Sequence, residues 1–148
     1  LPRGGAEGVI VVAVNRHNEL LLIREYAAGF HEIQLTLPKG LVEPQESMEA
    51  AASRELAEEV GFAANRTELV KRLTLAPSHM GFSINVVFAT ALYPHQLQGD
   101  EPEPLELVPW PLQRLDELLH NEEFCEARAI AALALCRPLF SQLLEATD

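Results

Sequence analysis

The sequence has 148 residues and a mass of 16.4 kDa, the size of one domain that can bury roughly 70% of its unfolded surface without covalent staples. Apolar residues make up 48%, which excludes wholesale disorder. The 22 acidic residues outnumber the 11 basic ones, for a net charge of −11. This excludes a broad basic face for nucleic acid or anionic membrane, but not small anionic substrates held through a divalent cation.

Gly8 to Val14 is short, apolar and β-branched and predicts a buried strand. Asn15 to Asn18 reads as a turn and Glu19 to Arg24 as a second strand, so the two form a hairpin. The apolar run from Val9 to Val14 is far too short for a signal-peptide core or a membrane span. Tyr26 to His31 reads as a loop and Ile33 to Leu37 as a short strand. From Met48 to Val60 nearly every residue is a strong helix former; Ser47 stands at the N-cap and Gly61 where a C′ glycine belongs. Strands follow over Thr67–Leu75 and Phe82–Leu92, then a loop of Pro, Gly and acid from Pro94 to Pro104, then a short strand over Leu105–Val108. Pro111 to Leu119 predicts a helix with proline at its start, and Glu122 to Leu144 a longer one that Pro138 kinks. The mixture is that of a layered α/β domain spanning 1–148. Cys125 and Cys136 fall on that last helix about 16 Å apart, too far for a disulfide, so both read as free thiols of a reducing, cytoplasmic compartment.

Chemistry concentrates in the first helix. Glu55, Glu58 and Glu59 stand at i, i+3 and i+4 and share a face. Three carboxylates in one place repel one another unless a cation sits among them, and all-oxygen donors suit Mg²⁺ or Mn²⁺. Arg54 can offset part of that charge and orient a carboxylate through a bidentate contact. A solvated acidic helix face fits the same spacing.

The whole segment resembles the Nudix box, G-x5-E-x7-R-E-U-x-E-E-x-G-U with U apolar. Gly40, Glu46, Arg54, Glu55, Glu58, Glu59 and Gly61 fill the fixed positions, and Leu56 and Phe62 the apolar ones. Leu22-Ile23-Arg24-Glu25-Tyr26-Ala27, Leu37-Pro38-Lys39-Gly40 and Gly99-Asp100-Glu101-Pro102-Glu103-Pro104 are similar to the ADP-ribose pyrophosphatase branch of that family.

The resemblance implies the Nudix α/β/α sandwich around a mixed sheet. It also implies metal-dependent hydrolysis of ADP-ribose, NADH or diadenosine polyphosphates, with release of AMP. By that likeness Glu55, Glu58 and Glu59 are the ligands of Mg²⁺ or Mn²⁺, joined by the Gly40 carbonyl, and Glu46 and Arg54 orient them. Branch members carry a β subdomain ahead of the core that exchanges across a homodimer. The sequence begins at the core with Leu1, so such a segment is expected upstream and the full-length protein is expected to dimerise.

The reaction needs a base within hydrogen-bond reach of the attacking water. Glu101 and Glu103, on the loop that carries the base in related enzymes, are the candidates; a solvated acidic loop is the alternative. Arg24, at the end of an apolar strand, and Lys39, beside Gly40, are candidates for binding substrate phosphate. Two rival readings accompany this one: a Nudix enzyme for another nucleotide, such as a nucleoside triphosphate or capped RNA end, and a non-catalytic nucleotide-binding module.

Overall fold

The computed structural model describes residues 6–99 and 105–147. Seven strands and three helices follow in the order β1 (Glu7–Ala13), β2 (Glu19–Ala27), β3 (Glu32–Thr36), β4 (Lys39–Leu41), α1 (Met48–Val60), β5 (Phe62–Thr74), β6 (Ser83–Pro94), β7 (Glu106–Pro111), α2 (Leu115–Leu119) and α3 (Ala127–Thr147). A 3-10 turn over Leu112–Arg114 leads into α2. One sheet is mixed, in the order β4-β1-β6-β5, with β1 parallel to β6 and the other pairs antiparallel. The second is antiparallel, in the order β3-β2-β7.

β1 and β2 are buried on both faces, and their alternation builds two cores. Ile10, Val12, Leu20 and Leu22 pack with Leu118 of α2 and Ala129, Leu133 and Phe140 of α3. Val9, Val11, Leu21 and Ile23 pack with Ala51, Ala52 and Leu56 of α1. Strands with apolar side chains on both faces need a helix on each side, and the result is the expected α/β/α sandwich. β5 lies at the edge of the mixed sheet and points Arg66, Glu68, Lys71 and Arg72 outward, which discourages pairing with another chain.

The first helix has the predicted limits, with Ser47 Oγ accepting from Ala50 N at 3.0 Å and Gly61 closing it at φ 78°. Three expectations are corrected. β1 and β2 form no hairpin: β4 and β6 take both hydrogen-bonding edges of β1, and only a Val14–Leu20 bridge joins it to β2. The strand β7 runs on through Trp110 to Pro111, so the predicted helix shrinks to the 3-10 turn and α2. α3 starts at Ala127, not Glu122, because Asn121–Phe124 forms a turn pinned to β3 by Leu35 N donating to Glu123 O at 2.9 Å. Glu126 then accepts from Ala129 N at 3.0 Å and satisfies the first turn. The two cysteines therefore do not share a helix.

By length and hydropathy alone α3 is apolar enough to cross a bilayer. Here Ala129, Ala132, Leu133, Cys136 and Phe140 are built into the core, and Pro138 lies within the helix.

Cys125 is exposed, whereas Cys136 is buried and its thiol is pushed up to about 12, chiefly by burial and secondarily by Glu68. Ionisation is what makes a thiol react. A thiol reagent at neutral pH is expected to label only Cys125 in the native protein and both cysteines in denaturant. Rapid native labelling of Cys136 would contradict this packing.

Candidate active site

The loop ahead of α1 is sewn to the edge of the mixed sheet. β4 pairs with β1, Gly40 opposite Val9, and Val42 N donates to Glu7 O at 2.9 Å. A turn follows in which Glu43 N donates to Glu46 Oε1 at 3.0 Å and Glu46 N to Glu43 O at 3.1 Å. Glu46 is thereby delivered to Arg54.

Arg54 binds Glu46 through a fork, Nε to Oε2 at 2.8 Å and Nη2 to Oε1 at 3.0 Å. Its Nη2 also donates to Leu41 O at 2.9 Å, and its Nη1 to Glu55 Oε1 at 2.8 Å and Glu58 Oε2 at 3.5 Å. One guanidinium thus joins the loop, the helix and two of the three clustered carboxylates. Contact with it lowers the Glu46 pKa. At Glu55 burial raises the pKa, and Arg54 offsets only part of that rise.

Glu59 has a different partner, accepting from the Lys39 amide at 3.0 Å. Burial pushes its carboxyl up to about 8, with the charges of Glu55 and Glu25 adding to the rise and the amide and charge of Lys39 opposing it only in part. The Lys39 ammonium is 2.9 Å from Glu25 Oε1. Arg54 therefore serves Glu43, Glu46, Glu55 and Glu58, and the Lys39 ammonium serves Glu25, while Glu59 has the Lys39 amide and no ion pair among the described residues.

These side chains surround a cavity of about 290 Å³ lined by Lys39, Gly40, Arg54, Glu55, Glu58 and Glu59. Gly99 completes it, because the chain after β6 folds back on α1: His95 N donates to Gly61 O at 2.9 Å and Leu97 N to Ala57 O at 3.2 Å. A larger cavity of about 590 Å³, at the far end of β1 between Val14, Phe62 and Leu143, has no carboxylate among the described residues of its wall.

Among the described residues no three His, Cys, Asp or Glu side chains are gathered into a metal cage. Arg54 draws Glu55 and Glu58 toward itself while the Lys39 amide holds Glu59. The donor set nonetheless suits a hard divalent cation. It is all oxygen, and it is short of positive charge, as the raised Glu59 carboxyl records.

Of the residues singled out in the sequence, Gly40, Arg54, Glu55, Glu58, Glu59 and Lys39 come together. Arg24 does not join them: its Nη1 lies 2.9 Å from Glu106 and its Nε 3.3 Å from Glu123, so it ties β2 to β7 and to the segment before α3. Glu101 and Glu103 lie outside the described residues, although Gly99, just before their loop, borders the cavity. Glu25 and the fold-back of Gln96 and Leu97 were not anticipated. No local pattern marks them, since each meets the site through a distant partner.

Gly40 is required by close approach. A Cβ there would collide with the Glu55 carboxylate. Gly40→Ala is expected to destabilise the fold by about 1–3 kcal/mol, read as a lower urea midpoint at unchanged slope. An unmoved midpoint would show that the Glu55 carboxylate yields freely.

The NUDIX domain family matches residues 5–133. The chain is 50% identical over 129 residues to ADP compounds hydrolase NudE of Escherichia coli (strain K12), covering 87% of this chain and 68% of that protein. It is 24% identical over 127 residues to an ADP-ribose pyrophosphatase of Bacillus subtilis (strain 168), covering 84% of this chain and 69% of that one. A crystal structure of an ADP compounds hydrolase superposes with a TM-score of 0.89 at 46% identity, over 93% of this chain and 74% of the other. With its box complete in sequence and assembled around one cavity, and its fold shared with that hydrolase, the chain belongs to the Nudix family.

Proposed function

We propose that this Nudix pyrophosphohydrolase cleaves ADP-linked compounds (ADP-ribose, NADH and diadenosine polyphosphates) at the pyrophosphate bridge and releases AMP. The observation that carries this reading is the Arg54 fork, which holds Glu46 and leaves Glu55, Glu58 and Glu59 around a single cavity. The two curated relatives, an ADP compounds hydrolase and an ADP-ribose pyrophosphatase, support the substrate class.

The proposed cation is Mg²⁺ or Mn²⁺, held by Glu55, Glu58, Glu59 and the Gly40 carbonyl. Such a cation, when bound, neutralises phosphate charge and acidifies water. The protein's own part is positional. Arg54 fixes Glu55 and Glu58, and the Lys39 amide fixes Glu59, before substrate arrives. Water then attacks one phosphorus, the bridging P–O bond breaks, and AMP leaves with the phosphorylated remainder as its partner product. The base that takes the proton from that water is proposed to be Glu103 or Glu101. Lys39 is proposed to face substrate phosphate only secondarily, because Glu25 already holds its ammonium. For Arg24 the double ion pair supports a structural role over phosphate binding.

The chain is further proposed to be one catalytic domain of a cytoplasmic homodimer that binds neither nucleic acid nor membrane. Net charge −11 and two unpaired thiols support this setting.

AMP release from ADP-ribose or NADH is expected to vanish with EDTA and in Glu59→Gln. Unchanged turnover in that variant would sink the reading. Arg54→Lys, which keeps the charge but loses the fork, is expected to cost about 10- to 100-fold in activity. Glu101→Gln and Glu103→Gln separate the base candidates: the base variant loses kcat far more than KM, and a few-fold loss in both would move the role to a box glutamate. A substrate panel with product identification distinguishes ADP-linked substrates from nucleoside triphosphates and capped RNA ends.

A further inference from the structure

Lys39 meets the carboxylates beside the cavity through both its backbone and its side chain. Its amide donates to Glu59 Oε2 at 3.0 Å, and its ammonium sits 2.9 Å from Glu25 Oε1. The two ends serve opposite ends of the problem. The amide orients a carboxylate without neutralising it, whereas the ammonium could neutralise one outright. Glu25 lies on β2 of the antiparallel sheet and Lys39 on β4 of the mixed sheet, so the ion pair spans the two sheets beside the cavity. With side chains 28% and 17% exposed, it is no loose surface pair.

The other acceptors nearby are already engaged. Arg54 occupies Glu55 and Glu58. Among the described residues Glu59 takes one hydrogen bond, from the Lys39 amide, and no ion pair. An ammonium on a flexible four-carbon stem, if released from Glu25, would find the Glu59 carboxylate beside its own backbone. There it would compete with any divalent cation for the same oxygens.

We infer that Glu25 is a positioning residue: it holds the Lys39 ammonium aside so that the Glu59 carboxylate stays available to a divalent cation. The inference rests on reading Glu55, Glu58 and Glu59 as a cation site. It gives the Glu25-held Lys39 ammonium a consequence for the cation site beside its secondary place toward substrate, and it gives Glu25, outside the Nudix box, a function in assembling the site.

The test is Mn²⁺ binding, followed by the electron paramagnetic resonance signal of free Mn²⁺, in the wild-type chain, Glu25→Gln, Lys39→Met and the double variant, each checked for folding by urea denaturation. Glu25→Gln is expected to bind Mn²⁺ about 10-fold more weakly. Lys39→Met is expected to bind at least as tightly as wild type, and in that background Glu25→Gln is expected to cost less than about 3-fold, a non-additivity that marks coupled residues. Glu25→Asp, which keeps the charge, is expected to recover most of the affinity and covers the case in which Glu25→Gln does not fold. Equal loss in both backgrounds would overturn the inference, since Glu25 would then act through its own charge, as would an unchanged affinity in Glu25→Gln. Absence of Mn²⁺ binding in the wild type would instead overturn the cation-site reading and this inference with it.

Discussion

The site depends on one interaction, the Arg54–Glu46 fork. Two parallel hydrogen bonds at 2.8 and 3.0 Å join the end of the box loop to the middle of α1. That join holds the segment between Gly40 and Ser47 against the helix, beside the Lys39 amide's bond to Glu59 and the Arg54 bond to Leu41 O. The same guanidinium donates to Leu41 O and to Glu55, so loop backbone and site carboxylate are referenced to one rigid plane. A lysine has the charge but not the planar geometry to do this.

The distribution of charge follows from that plane. Arg54 satisfies the carboxylates at the N-terminal side of the cluster, and Lys39 those at the other side. Glu59 lies between the two, oriented but not neutralised, and burial makes its carboxyl the most reluctant to ionise. The acidity that excluded a broad basic face is thus partly local. The box places three glutamates, Glu55, Glu58 and Glu59, on one cavity, and that deficit of positive charge is what the proposed divalent cation would relieve.

The sandwich provides the rigidity. β1 is hydrogen-bonded on both edges and packed on both faces, with α1 on one side and α3 on the other. Gly40 is fixed by its pairing with that central strand, and Glu55, Glu58 and Glu59 by the helix docked against it. The carboxylates therefore approach the loop at a spacing set by the core, close enough that a side chain at Gly40 would displace the Glu55 carboxylate.

How much of this was legible in the sequence depends on how local each feature is. The limits of α1, its Ser47 cap and Gly61 stop, and the shared face of Glu55, Glu58 and Glu59 were all readable, because helical hydrogen bonds and i, i+3, i+4 spacing are set within a few residues. A layered α/β domain was readable from the order of elements, and the α/β/α sandwich from the resemblance of the box to the Nudix family. Which strands pair was not: adjacency suggested a β1–β2 hairpin, and the structure gave both edges of β1 to β4 and β6, from far along the chain. The start of α3 was likewise settled by the pinning of Glu123 to β3. Arg24 and Lys39 are alike in the sequence as cations beside apolar segments, yet one joins strands away from the cavity and the other bridges two sheets at its edge. The sequence by itself determined the chemistry, because the carboxylates and their arginine lie within one loop and one helix. Only the tertiary structure decided where the surrounding charges go, because Glu25, Lys39 and the returning chain at Gly99 reach the cavity from separate strands and loops that meet through packing and long-range hydrogen bonds.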